Sequence, residues 1–137
     1  MTDDLPGAAA DVPHHEGGPH AAYEALLAAD VLAFQACRAC RSAVFPPRGR
    51  CPHCGVEDVV WRASGGRGRV YSATVLEPRE KPAYVVVLVD LDEGFRMMSR
   101  MTGPDGASVA IEDRVVVSFD DVSGARLPLF AREGGVR

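Results

Sequence analysis

The chain has 137 residues, of which 47% are hydrophobic and 25% charged, with a formal net charge of −4. This composition is typical of a globular protein with one domain or two small modules, and the acidic balance argues against a general nucleic-acid binder. We find no apolar run near the ~18 residues of a membrane span and no secretory signal, so we expect a cytoplasmic protein without a membrane partner.

The first segment, residues 1–20, is rich in Gly, Pro, Ala and Asp and lacks periodic apolar residues, which predicts a mobile tail. Helical spacing then predicts an amphipathic helix over residues 21–34. Its apolar stripe consists of Tyr23, Leu26, Leu27, Val31 and Phe34. The stripe would cover either the helix's own domain or a partner protein, and the sequence leaves both open.

All four cysteines lie in two Cys-x-x-Cys pairs, which is a strong metal signal because each pair turns tightly and directs two sulfurs towards one tetrahedral site. We predict one structural zinc ion, and such a closed site has no open position for substrate. Its ligands would be Cys37, Cys40, Cys51 and Cys54. A rubredoxin-like iron centre uses the same ligands and remains an alternative.

The residue that follows each Cys-x-x-Cys pair affects the backbone conformation of its turn. Gly55 follows the second pair and suits a positive φ, whereas Arg41 follows the first pair, so we expect another geometry there. Prolines keep residues 44–48 extended, and residues 59–61 read as a returning strand. The prediction for residues 35–63 is therefore a three-stranded zinc ribbon.

Residues 38–69 contain seven arginines against two acidic residues, a local charge of +5. About half of them, chiefly Arg38, Arg41 and Arg50, are expected to offset the thiolate centre and to hydrogen-bond its sulfurs. The remaining candidates would bind phosphate groups, such as those of a CoA ester. They are Arg48, Arg67 and Arg69.

Residues 64–137 carry a strand pattern without helices. Five short strands are predicted, over residues 70–76, 83–89, 95–101, 114–119 and 127–130. Five antiparallel strands in this length predict an OB-fold barrel filled by its own side chains, so a ligand would lie on its face or in a groove shared with another chain. The continuous apolar run of the second strand predicts burial on both faces.

Catalytic residues are not evident. The chain has no Gly-x-Ser-x-Gly elbow, no free cysteine once a metal is bound, and no histidine in the predicted barrel. We therefore predict that this protein is not an enzyme by itself.

The order of motifs resembles the bacterial and archaeal zinc-ribbon/OB-fold proteins that accompany thiolases. The resemblance covers about residues 21–132. It is carried by both cysteine pairs, Phe45-Pro46-Pro47-Arg48, residues 66–72, residues 82–86 and residues 90–94. Two departures are Arg41, where the family commonly has glycine, and Glu112-Asp113, where a glycine often precedes the fourth strand.

This resemblance implies a mostly β fold made of an N-terminal helix, a small rubredoxin-like zinc ribbon and a five-stranded OB-fold. It also implies a non-catalytic accessory subunit in a hetero-oligomer with a thiolase-like protein. The partner would be a thiolase or a retro-aldolase acting on acyl-CoA thioesters, including steroid side-chain CoA esters, in lipid or steroid metabolism. The accessory chain would stabilise the complex and assist CoA binding.

Nucleic-acid binding and stand-alone transport of acyl-CoA are the two alternative functions. A nucleic-acid-binding OB-fold usually presents aromatic and basic residues together, and the open side of the third strand offers Arg96, Met98 and Arg100 without an aromatic. A stand-alone acyl-CoA carrier is suggested by the three candidate phosphate-binding arginines. We expect no nucleic-acid partner.

Overall fold

The computed structural model of the chain describes residues 5–12, 16–103 and 106–133. In these residues the chain is mostly β, as predicted, and it forms two compact units divided after Gly65. The ribbon unit comprises residues up to 65 together with residues 93–95, and the barrel unit comprises the remainder. The strands are β1 Ala8–Ala9, β2 Ala33–Cys37, β3 Ala43–Val44, β4 Val59–Ala63, β5 Arg67–Leu76, β6 Tyr84–Leu91, β7 Arg96–Arg100, β8 Arg114–Val122 and β9 Ala125–Arg132.

Helix α1 spans Pro19–Ala28 and is shorter than the predicted helix over residues 21–34. It stops early because Asp30 takes a left-handed φ of 62°, a conformation that aspartate tolerates better than most residues. Phe34 consequently belongs to β2 and not to the helix. The helix buries Ala22, Tyr23, Leu26 and Leu27. Its apolar side is therefore covered in this structure without a partner protein.

The ribbon sheet has the strand order β1-β4-β2-β3. All five residues of β2 are buried, and the ring of Phe34 stacks on that of Phe95 at 4.6 Å between centroids. The ribbon therefore has an aromatic core beside the cysteine pairs.

The N-terminal segment is part of this sheet, which corrects the tail predicted for residues 1–20. Ala8 pairs with Ala63 and Ala9 with Arg62. The buried guanidinium of Arg62 donates hydrogen bonds to the carbonyl oxygens of Pro6 at 3.2 Å and Gly7 at 2.6 Å. These backbone contacts carry no apolar periodicity, so the sequence pattern could not reveal them. Residues 1–4 and 13–15 lie outside the described residues.

The barrel sheet has the strand order β7-β6-β5-β8-β9, with all neighbours antiparallel. A parallel bridge between Met101 and Phe130 brings the two edges together, so the five-stranded barrel is nearly closed. Strand β6 alternates between buried and half-buried residues, so the predicted burial on both faces is wrong. The half-buried residues, Tyr84, Val86, Leu88 and Asp90, lie on the outer face of the sheet. The described residues include no helix long and apolar enough to cross a membrane.

Candidate metal centre

Two turns of the same construction hold the cysteine pairs. The N–H of Arg41 donates to the carbonyl of Cys37 at 2.8 Å, and the N–H of Gly55 donates to that of Cys51 at 2.9 Å. Arg41 has a φ of 66° and Gly55 a φ of 83°, so the expectation of a different geometry after the first pair is wrong. An arginine takes the left-handed conformation that glycine takes in the other turn.

The four cysteine Sγ atoms lie within 4.8 Å of one another. Cys37 and Cys54 are 3.6 Å apart, as are Cys40 and Cys51. A tetrahedral ion with metal–sulfur bonds of ~2.3 Å separates its sulfurs by ~3.8 Å, whereas a disulfide bond is ~2.05 Å long. The spacing therefore fits four ligands of one metal ion and not two disulfides.

Burial divides the four cysteines into two kinds. Cys37 and Cys51 are 0% and 1% exposed and form a small core with Val44 and Val59, whereas Cys40 and Cys54 are exposed. One cysteine of each pair thus anchors its turn in the ribbon while the other faces solvent. With four protein ligands, such a centre has no place for substrate.

Neighbouring groups shift the pKa values of the two exposed thiols in opposite directions. Hydrogen bonding to Ser42 lowers the pKa of Cys40 to about 6. A backbone hydrogen bond at Val56 also lowers the pKa of Cys54, but desolvation and the three neighbouring cysteines together raise that pKa to about 12. Four thiolates within 4.8 Å of one another repel, and a divalent metal bound among them would offset that repulsion.

Two of the arginines near the cysteines, Arg38 and Arg50, have acidic partners. Arg38 binds Asp58 at 3.0 Å, and Arg50 binds Glu57 at 2.8 Å and the carbonyl of Gly55 at 2.9 Å. The expectation that Arg38 and Arg50 hydrogen-bond the sulfurs is therefore corrected. The acidic residues of the ribbon itself pair with both side chains.

The three candidate phosphate-binding arginines are divided between the two units. Arg48 lies in the ribbon unit; its backbone N–H donates to Gln35 at 2.6 Å, and among the described residues its exposed guanidinium has no ion-pair partner. Arg67 and Arg69 lie two residues apart on β5 and pair with Glu133 and Glu112. Their assignment to a ligand remains a prediction.

Two aromatic residues, Tyr71 and Tyr84, lie beside β7, a position that the sequence pattern did not predict. The guanidinium of Arg96 lies 3.5 Å from the ring centre of Tyr71, and that of Arg100 lies 4.1 Å from the ring centre of Tyr84. The expectation that no aromatic lies on that side is wrong, because strand pairing brings the tyrosines there from β5 and β6. Each tyrosine has an arginine over its ring, a favourable cation–π geometry.

Comparisons with known proteins agree with this two-part architecture. The model of the ChsH2 rubredoxin-like zinc ribbon domain matches residues 26–60, and that of the ChsH2 C-terminal OB-fold domain matches residues 61–120. A DUF35 domain-containing scaffold protein of Methanothermobacter thermautotrophicus is 33% identical over 92 residues, which are 63% of this chain and 69% of that protein. The chain belongs to the ChsH2 family of zinc-ribbon and OB-fold proteins.

Two further proteins are similar to this chain over different shares of their length. A probable enoyl-CoA hydratase alpha subunit of Thermomonospora curvata is 38% identical over 86 residues, which are 58% of this chain but only 27% of that protein. A solved structure described as the Ltp2-ChsH2(DUF35) aldolase has a TM-score of 0.73 and 31% identity, covering 83% of this chain and 94% of that chain. This chain therefore corresponds to a small part of the first relative and to nearly all of the second.

Proposed function

We propose that the protein is a non-catalytic accessory subunit of an enzyme complex that processes acyl-CoA thioesters. Membership of the ChsH2 family carries this proposal, since one similar chain belongs to an aldolase complex and another is named a scaffold protein. A relative named as an enoyl-CoA hydratase subunit supports the acyl-CoA substrate class. The finer proposal is that the partner is a thiolase-superfamily enzyme, either a thiolase or a retro-aldolase, which supplies the catalytic groups.

Structural zinc is part of the proposal. Cys37, Cys40, Cys51 and Cys54 would hold the ion, and its role would be to fix the two turns of the ribbon. Metal analysis should find one zinc per chain. Cys40→Ser and strong chelators should unfold the ribbon, because its small core contains two of the ligands themselves. Equimolar iron with visible absorbance would support the iron alternative.

The barrel offers a surface on which a partner could pack. Large apolar side chains are exposed on β5 and β7: Met98 by 69%, Val75 by 58%, Tyr71 by 50% and Leu76 by 41%. Met98 and Leu76 share the outer face of the sheet, since Met98 pairs with Leu88 and Leu76 with Tyr84 on β6. Exposed apolar patches can mark interaction sites. We propose that Met98 and Leu76 contact the partner, while α1, whose apolar side is covered, does not.

CoA binding would use the three candidate arginines in the assembled complex. The exposed guanidinium of Arg48 could bind a phosphate group directly. Arg67 and Arg69 would have to exchange their acidic partners for phosphate, at modest cost because exposed ion pairs contribute little to stability. Arg48→Gln should therefore weaken CoA binding by the complex more than Arg69→Gln does.

Affinity purification of the tagged full chain tests the accessory role. Mass spectrometry should identify a thiolase-superfamily chain, and Met98→Asp should reduce its recovery. Ile111→Asp is the matched control, since Ile111 is also exposed, by 62%, but lies in the loop before β8. Equal recovery with both variants would refute the proposed interface, and absence of such a partner would refute the accessory role.

A nucleic-acid function is supported less well. Base stacking needs free aromatic faces, whereas the rings of Tyr71 and Tyr84 carry Arg96 and Arg100 over them. Tight, salt-dependent binding of RNA or DNA would nevertheless favour this alternative. Submicromolar binding of an acyl-CoA to the isolated full chain, measured by calorimetry, would favour a stand-alone carrier.

A further inference from the structure

A groove runs along the ribbon unit beside β1 and β4. Its volume is about 750 Å³, within the range of small-molecule sites. The four cysteines do not line it, and neither do the three candidate phosphate-binding arginines. The groove thus adjoins the metal centre through Val59 and Arg41 but includes none of its ligands.

The groove has an apolar side. Val59 and Trp61 from β4 line it together with Leu5 and Val12 from the N-terminal segment. Val12 is 41% exposed, and Trp61 is the only tryptophan of the chain and only half-buried. An apolar body placed against these side chains would remove them from water, which contributes roughly 25 cal/mol per Å² buried.

The groove also has a cationic rim made by Arg38 and Arg41, both of them exposed. The charge of Arg38 is balanced by Asp58. Arg41 occupies a left-handed conformation that costs an L-residue ~1–2 kcal/mol, although Gly55 fills the equivalent position of the other turn without that cost. Backbone strain of this kind can mark a position where the side chain is needed.

We propose that this groove binds an amphiphilic organic anion. The apolar chain of the ligand packs against Val59 and Trp61, and its anionic head binds the guanidinium of Arg41 at the rim. A carboxylate and a phosphate ester share the required chemistry, because both accept hydrogen bonds from a guanidinium. This site belongs to the ribbon unit alone and does not require the partner enzyme.

Trp61 provides the assay, since its fluorescence reports on the groove in the full-length, zinc-loaded chain. Decanoate and decyl phosphate should change its emission saturably, and their relative affinities distinguish the two head groups. Decanol, which has the same chain without a charge, should bind more weakly. The proposal is overturned if neither anion gives a saturable change, or if decanol binds as well as both anions.

Arg41→Gly is the decisive variant because glycine accepts the φ of 66° and leaves the turn intact. It should weaken binding of the better anion about tenfold, the equivalent of one charge-assisted hydrogen bond. Arg79→Gln removes the same charge from an exposed position that does not line the groove, and it should leave the affinity unchanged. Equal affinities for the two variants would overturn the role of Arg41. Failure to recover a partner enzyme leaves this result unaffected, so the two proposals can be judged separately.

Discussion

Gly55 and Arg41 occupy equivalent turn positions, so substitutions at the two sites should have opposite effects on stability. Gly55→Ala places a Cβ in open space, with nothing within 4 Å, at a φ of +83°. Its cost is therefore conformational and not steric. Arg41→Gly removes the same conformational penalty from the first turn.

The magnitude follows from two terms. A left-handed conformation costs an L-residue ~1–2 kcal/mol, while replacing glycine restricts the unfolded chain and returns ~0.4–1 kcal/mol. Gly55→Ala should thus destabilise the ribbon by about 1 kcal/mol, and Arg41→Gly should stabilise it by a smaller amount, since it also removes the interactions of the Arg41 side chain. For a unit of this size, 1 kcal/mol corresponds to ~4–8 °C in Tm.

Urea unfolding followed by Trp61 emission measures this effect in the ribbon, provided that the free zinc concentration is held constant. Gly49→Ala is the control, since its Cβ also meets nothing within 4 Å but its φ lies outside the left-handed range. It should be neutral or slightly stabilising. The reasoning fails if Gly55→Ala behaves like Gly49→Ala, or if Arg41→Gly destabilises the ribbon.

Three further predictions concern the core and the barrel. Phe34→Ala should cost ~3–5 kcal/mol in urea unfolding, because a ring that is 0% exposed and stacked on Phe95 leaves a cavity. Burial raises the pKa of Tyr23 to about 12, so stability should be fully present below pH 10 and fall as pH rises from 10 towards 12. Tyr23→Phe should flatten this decline in unfolding measurements, and an unchanged profile would contradict it. Gly68→Ala should destabilise the barrel by ~1–3 kcal/mol, because the new Cβ would overlap the Asp90 carbonyl and lie 2.9 Å from Val89 Cγ1. Thermal unfolding measures this loss, and a Tm equal to that of the wild type would contradict the prediction.

Local patterns were sufficient to predict both parts of the fold. The four cysteines are close in sequence, so their spacing alone predicted that their sulfurs converge. The strands of the barrel also carry local signals, such as the Ser123-Gly124 turn, where both residues have positive φ and join β8 to β9. Patterns of this kind are readable because the physical constraint acts on residues only a few positions apart.

Side-chain partners were decided by the tertiary structure. Arg96 and Tyr71 are 25 positions apart in sequence and meet only because β5, β6 and β7 pair in register. Arg62 is buried because a segment some 55 residues away supplies the carbonyl oxygens of Pro6 and Gly7. Spacing along the chain thus predicted the convergence of the four sulfurs and most of the strands. The partners of the arginines depend on which distant backbone folds beside them, and no local pattern encodes that.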